Sequence, residues 1–384
     1  MPCDNTSAMP ALSGAEGTSD FMQRALDLAR GALGATSPNP SVGAVVVKGD
    51  QIVGEGFTQP PPGDHAETVA LKQAGESARG AALYVTLEPC PHSGRTPPCA
   101  DAVIEAGIAE VHYSMADPDP NVDGGGRRKL EAAGIAVHAG EGEAEARRIN
   151  EAFIKHRTKG MPFVIAKFAA SLDGRIAAAS GDSRWVSGPE AREWAHDLRS
   201  KVDAILVGSS TVVVDDPLLT ARPGGKDAER QPLRVVVDSR GRTPPMARVL
   251  GGPARTLIAT LKGAPEPWRS SVRAAGAEVL ELPSEGGRVD LAALLRELAG
   301  RDVLSLLVEG GGVILGSLFD AGLVDKLHAV IAPVIIGAED APAAVAGRGA
   351  YRMADALRLR DITVDRLGDD LLVTGYPGYP EAKE

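Results

Sequence analysis

Apolar side chains recur at Phe21, Ala25, Leu28 and Ala29 in FMQRALDLARGALG, the spacing of one helix face. NPSVGAVVVKGDQIVGEGF then places β-branched runs on either side of Gly49-Asp50, which predicts two strands joined by a turn. Further on, DHAETVALKQAG predicts a helix, AALYVTLEP a strand and PPCADAVIEAGI a helix. EVHYSMAD predicts a strand, GGRRKLEAAGI a helix and AVHAG a short strand. One further helix, EAEARRINEAFIKHRTKG, leads out of this unit. Strands alternating with helices imply a mostly parallel sheet with crossover connections.

A second α/β pattern begins near Met161. PFVIAKFAAS is an almost continuous apolar strand, and PEAREWAHDLRSKV is an amphipathic helix. AILVGSSTVVVDDP runs from a strand into a Gly/Ser turn. PLRVVVDS, ARTLIAT and AEVLELP predict strands, LAALLRELAG a helix, VLSLLVEGGG a strand and VILGSLFDAGL a helix. KLHAVIAPVIIG is another strand, and ITVDRLGDDLLVTGY reads as a hairpin. RPGGKDAERQ is an exposed loop.

A length of 384 residues suits two cores better than one. The expected division is a disordered tail over 1–20, one domain over 21–160 and a second over 161–384. The tail lacks the basic-then-apolar order of a signal peptide, and no apolar run reaches membrane-spanning length. A formal charge of −10 argues against a broad nucleic-acid surface. Three cysteines do not pair off, which suits a reducing compartment and a cytoplasmic location.

Cys3 lies in the tail, and the other two cysteines flank a proline-rich loop in LEPCPHSGRTPPCAD, Cys90 and Cys99. Thiolates are good zinc ligands, and one more donor is available at His65 in DHAET. One His with two Cys leaves the fourth position of a tetrahedral zinc open, as in catalytic sites, where a bound water ionises near neutrality. Glu67, two residues after His65, can shuttle protons, matching the zinc deaminase signature except that eight residues separate the cysteines. Asp64 and Glu67 also have capping-box spacing, so Glu67 could simply secure a helix start. Thr96 is placed to N-cap the next helix with Pro97 at its first position, setting Cys99 in the first turn, where the helix dipole favours a thiolate.

HAE, TLEPCPHSGRTPPC and DPDPNVDGGG, in this order, resemble the deaminase half of the bifunctional riboflavin-biosynthesis deaminase–reductases. KFAASLDGRIA, RWVSGPEAREWAHDLRSKVDAILVGSSTVVVDDPLLTAR and LLVEGGG resemble its reductase half. The resemblance implies a cytidine-deaminase-like three-layer domain followed by a dihydrofolate-reductase-like domain. It implies zinc-dependent removal of the exocyclic amine at C2 of a pyrimidine ribosylamine phosphate. NADPH-dependent reduction of the ribosyl to a ribityl chain would follow.

By the same resemblance His65, Cys90 and Cys99 hold zinc, Glu67 is the proton shuttle, and Asn39, His92, Arg95 and Asp117 bind the first substrate. Two positions depart from the family pattern: Thr58 stands for a histidine and Asp119 for an amide. In the second half, Gly311, Gly312, Val313, Ile314, Leu315, Gly316 and Ser317 are implied to cradle the cofactor phosphates. Ala169, Trp185, Thr211, Asp215 and Ser239 add further NADPH contacts. Ser183, Arg199, Leu219, Arg222 and Glu309 are implied to meet the substrate. Lys167 stands in an apolar strand, where a lysine is unusual, and is expected to polarise the sugar or pair with Asp215.

The glycines of SLLVEGGGVILG alone do not spell a dinucleotide fingerprint, because Leu315 stands where the third glycine belongs. The residues also admit bland roles: Trp185 in a core, Asp215 and Asp216 capping a turn, and Asp173 making one. The family suggests a homo-oligomer formed through the reductase half. The alternative is a single-activity nucleobase deaminase with a C-terminal substrate-binding module.

Overall fold

The computed structural model describes residues 18–91, 97–120, 122 and 124–380. It divides after Ile154 into two compact units.

In the first unit, α1 (Asp20–Gly31) is capped by Ser19, whose hydroxyl accepts from the Met22 amide. Its fully buried face is Met22, Ala25, Leu26 and Ala29, so Phe21 and Leu28 flank the predicted stripe rather than centre it. The hairpin β1 (Gly43–Lys48) and β2 (Gln51–Phe57) turns at Gly49-Asp50. After it come α2 (Ala66–Ala74), β3 (Ala82–Leu87), α3 (Cys99–Glu105), β4 (Glu110–Met115), α4 (Gly125–Ala132), β5 (Ala136–Ala139) and α5 (Glu143–Ile149). The sheet order is β2-β1-β3-β4-β5, parallel across β3, β4 and β5. Helices α1 and α5 cover one face, and α2, α3 and α4 pack in sequence on the other, which makes three layers.

Two glycines let the helices sit directly on the strands. A Cβ at Gly43 would lie 1.9 Å from the Ala25 carbonyl of α1, and one at Gly56 2.3 Å from the Ala66 carbonyl at the start of α2. The second contact fixes where α2 begins.

The predicted exit helix is two helices. Helix α5 stops at Asn150, and α6 (Glu151–Lys159) follows. The Asn150 carboxamide is taken by Ser41, accepting from its amide at 2.8 Å and donating to its carbonyl at 3.0 Å. A tertiary bond thus breaks a run whose local pattern was uniformly helical.

The second unit is built on one nine-stranded sheet. Its elements are β6 (Phe163–Ser171), α7 (Pro189–Ser200), β7 (Ala204–Gly208), α8 (Ser209–Asp215), β8 (Leu233–Val237), β9 (Thr256–Leu261), α9 (Glu266–Ala274) and β10 (Glu278–Leu282). A small ribbon follows, β11 (Ser284–Glu285) and β12 (Arg288–Val289), then α10 (Leu291–Ala299), β13 (Ser305–Gly310), α11 (Gly312–Asp320), β14 (Lys326–Ala332), β15 (Arg358–Leu367) and β16 (Asp370–Gly378). The order is β10-β9-β8-β7-β13-β6-β14-β16-β15. Strands β10 through β14 run parallel, and the terminal hairpin adds antiparallel. Strand order reverses around β13 and β6, the arrangement that opens a crevice at carboxyl ends of strands.

Two elements differ from expectation. STVVVD forms the helix α8, not a turn, because Val212 is pulled into the core. Helix α9 was not among the predicted elements, although Trp268 and Val272 stand four residues apart on one face. Its Trp268 covers Gly241 and donates Nε1 to the Thr243 carbonyl at 2.8 Å.

Candidate functional site

Strand β3 delivers Glu88, Pro89 and Cys90 to the end of the first unit's sheet. Glu88 accepts from the Arg127 amide at 2.9 Å, and a Cβ at Gly126 would lie 1.9 Å from the Pro89 carbonyl, so α4 is seated on this turn. Helix α3 begins at Cys99 with Pro98 as its N-cap, so Pro97 lies outside the helix. The expected cap Thr96, like His92 and Arg95, lies outside the described residues. The Ala100 amide donates to the Cys90 carbonyl at 3.1 Å, which draws the two cysteines together.

His65 is the N-cap of α2 in extended conformation, and its side chain does not cap the helix. Its Nδ1 lies 3.2 Å from Cys99 Sγ and 3.8 Å from Cys90 Sγ, and both thiols are free. Donors around a tetrahedral zinc are separated by roughly 3.5–3.8 Å given ordinary Zn–N and Zn–S lengths. The donor set and its spacing therefore fit zinc. Hydrogen bonding with Cys99 is the main cause that brings the Cys90 thiol down to about 4, and the same bond, with burial, raises Cys99.

Because the cap falls on His65, Glu67 is not the partner of an Asp64 capping box. Asp64 instead pairs with Lys72 at 2.5 Å. Glu67 is 4% exposed, and burial, reinforced by the charge of Cys90, pushes its carboxyl up to about 7. A carboxyl poised there exchanges protons near neutrality.

Asp117 is raised to about 6, chiefly by burial, with Cys90 among the charges that reach it; it accepts from the Asp119 amide at 2.9 Å. Asn39 closes a turn by donating its amide to the Thr36 carbonyl. Thr58 is buried, and its hydroxyl accepts from the Val42 amide at 3.2 Å.

In the second unit a cleft of about 760 Å³ opens at the carboxyl ends of β6, β7 and β13. The parallel register that pairs Val308 with Ala166 brings Glu309 beside Lys167. Glu309 also takes Arg199 in a two-point pair, both contacts at 2.6 Å. Burial would raise Glu309, but Arg199 and then Lys167 outweigh it and hold the carboxyl at about 2. Burial lowers Lys167, and Arg199 adds to that. The charge facing Lys167 is thus Glu309 rather than Asp215, whose Oδ1 accepts from Ser183 at 3.1 Å.

Arg222 reaches Thr220 Oγ1 and lies 3.2 Å from His196 Nε2. His196 escaped the sequence reading. Its signal was its position three residues before Arg199 on one helix face. Burial, then Arg199 and Arg222, hold it below its ordinary value.

Leu219 lines the cleft at φ 52°, a left-handed conformation costly for a branched residue. Arg234, wholly buried in β8, donates to the neighbouring Leu218 carbonyl at 3.3 Å and so pins this loop. Asp216 accepts from the Arg248 amide and Asp173 from the Gly337 amide, which are the turn-holding roles. Trp185 is 70% exposed with Arg192 over its ring, so it is no core residue.

The glycine turn has two uses. Gly311 donates its amide to Thr211 Oγ1 at 3.3 Å and lines the cleft with Ala169, Trp185, Asp215, Gly312 and Leu315. Gly312 and Gly316 admit the chain's own backbone: Cβ atoms there would meet the carbonyls of Ala343 at 2.4 Å and Ala346 at 1.4 Å. Val313 is exposed, Ile314 packs toward Gly208, and Ser317 bonds the Val313 carbonyl. Ser239 lies elsewhere, in a second depression with Arg240 and Lys262.

Residues 15–115 match the family model for the cytidine and deoxycytidylate deaminase zinc-binding region, and residues 162–373 match the RibD C-terminal domain. The solved structure of *Acinetobacter baumannii* RibD (form 1) superposes with a TM-score of 0.85 at 38% identity, covering 94% of this chain and 98% of that one. A *Thermotoga maritima* diaminohydroxyphosphoribosylaminopyrimidine deaminase/5-amino-6-(5-phosphoribosylamino)uracil reductase superposes at 0.81 with 35% identity, covering 93% and 98%. Fold and site thus define a two-domain enzyme, a zinc-type deaminase joined to a reductase. The riboflavin biosynthesis protein RibD of *Escherichia coli* (strain K12) is 42% identical over 361 residues, 91% of this chain and 97% of that protein. The chain belongs to the RibD family of bifunctional deaminases and reductases in riboflavin biosynthesis.

Proposed function

We propose that this chain hydrolyses the exocyclic amine of a diaminohydroxyphosphoribosylaminopyrimidine and then reduces the resulting 5-amino-6-(5-phosphoribosylamino)uracil with NADPH. The observation that carries the reading is the convergence of His65 and both thiols beside a buried Glu67. His65, Cys90 and Cys99 hold zinc, which supplies a water of lowered pKa. Glu67 takes a proton from the attacking water and returns it to the amine, which leaves as ammonia. Asn39 and Asp117, with His92 and Arg95, hold the pyrimidine.

In the reductase, NADPH supplies hydride, and the chain aligns it. Thr211, Asp215, Trp185, Ala169 and the Gly311–Ser317 start of α11 form the cofactor side, and Ser239 in its separate depression makes a further cofactor contact. Ser183, Leu219, Arg222, Arg199 and Glu309 form the substrate side, and Lys167 donates to the opening sugar. Arg199 is committed to Glu309, so Arg222 is the better phosphate ligand. The deaminase segment runs over 21–160 and the reductase over 161–384. Two reduced thiols at the metal centre suit a cytoplasmic location. A homo-oligomer forms through the reductase half, whose edge strand β15 leaves Ile362 and Val364 exposed.

Cys90→Ser tests the reading. The zinc held by His65, Cys90 and Cys99 and deamination are lost, while NADPH oxidation on pre-deaminated substrate continues. If both activities persist unchanged, the metal assignment is wrong.

A further inference from the structure

Strands β3, β4 and β5 run parallel and in register, pairing Tyr84 with His112 and His112 with His138. Their rings stack as a ladder, with centroids 4.4 and 4.8 Å apart. Glu110 lies two residues before His112 and so shares its face. Glu110 Oε1 is 3.1 Å from His112 Nε2 and 2.9 Å from His138 Nε2. Three donor atoms, two of them imidazole nitrogens, therefore lie within 4.8 Å of one another. None belongs to the centre built from His65.

We propose that Glu110, His112 and His138 form a second divalent-metal site on the deaminase unit, suited to a borderline ion such as Zn²⁺. Two imidazoles and a carboxylate are a donor set of that preference. The other ring nitrogen of His112 faces Glu141 Oε2 at 3.8 Å. A neutral imidazole has one N–H, so His112 satisfies only one of its two carboxylate neighbours by hydrogen bonding. A cation against Nε2 resolves this. It leaves Nδ1–H to Glu141, the carboxylate–histidine–metal arrangement. Glu141 is itself anchored, its Oε1 accepting from the Ser19 amide at 2.6 Å. Negative charge gathers here: beyond burial, Glu141 and Glu110 hold the Tyr84 phenol above its usual value.

The test is zinc content of the full-length protein after dialysis against chelator-buffered Zn²⁺. Wild type retains two ions per chain. His138→Ala, whose ring is more than half exposed and whose loss spares the core, retains one ion and full deaminase turnover. Cys90→Ser also retains one ion, with the second site's affinity unchanged. Glu141→Gln weakens the second ion about 10- to 100-fold. One ion in wild type, two in His138→Ala, or wild-type affinity in Glu141→Gln would each overturn the assignment.

Discussion

Glu67 shows how one residue's role turns on its neighbours. Its spacing from Asp64 is that of a capping box, and from His65 that of a deaminase motif. The helix starts one residue later than the first reading needs, and the carboxyl is buried beside Cys90. Glu67→Gln is therefore expected to keep zinc yet lower deamination by about 100-fold or more, the usual worth of a general acid–base group. Metal analysis and an ammonia-release assay check this together. Wild-type turnover would reduce Glu67 to a helix-start residue. The candidate metal donors, which the fold brings together, were legible in the chain because few side chains bind zinc and their order is distinctive. His196 was not, because a lone histidine on a helix gives no sign of the two arginines that fold around it.

Elements repeat the lesson at larger scale. The hairpin at Gly49-Asp50 and the parallel strands followed directly from pattern. The break at Asn150 did not, since Ser41 lies 109 residues away. The same holds for α8, where local β-branched preference yields to core packing. Strand β14 carries a further consequence. His328 is buried against Trp194 and bonds Thr374 Oγ1 at 2.8 Å. Burial first, then Lys326 and Lys167, pull its ring down to about 3. The unfolded ring takes a proton near pH 6.5 and the folded ring only near 3. Stability is thus complete above pH 6.5 and declines as pH falls toward 3, by about 3 to 5 kcal/mol in total. Denaturant titrations between pH 7 and 4 should show this slope for wild type. His328→Gln should flatten it, and equal slopes would remove His328 as the cause.

At the scale of the molecule, β15 ends a nine-stranded sheet with its ladder unpaired on one side. Ile362 and Val364, on one face of it, are 55% and 59% exposed. Long unpaired edges are normally covered or blunted by charge, and here Ile362 and Val364 stand exposed among charged neighbours. Light scattering is expected to find a homo-oligomer, and Ile362→Asp with Val364→Asp is expected to yield monomers that still deaminate. A monomeric wild type would contradict the expectation.

Period, charge and the order of donor residues determined the class of most elements, the two α/β halves and the candidate zinc-ligand set. These are local properties, written in neighbouring residues. Register decided the rest: it sets Glu309 beside Lys167 and His112 between Tyr84 and His138. Strand pairing brings together residues far apart in the chain, and no local pattern encodes which strand will lie alongside which.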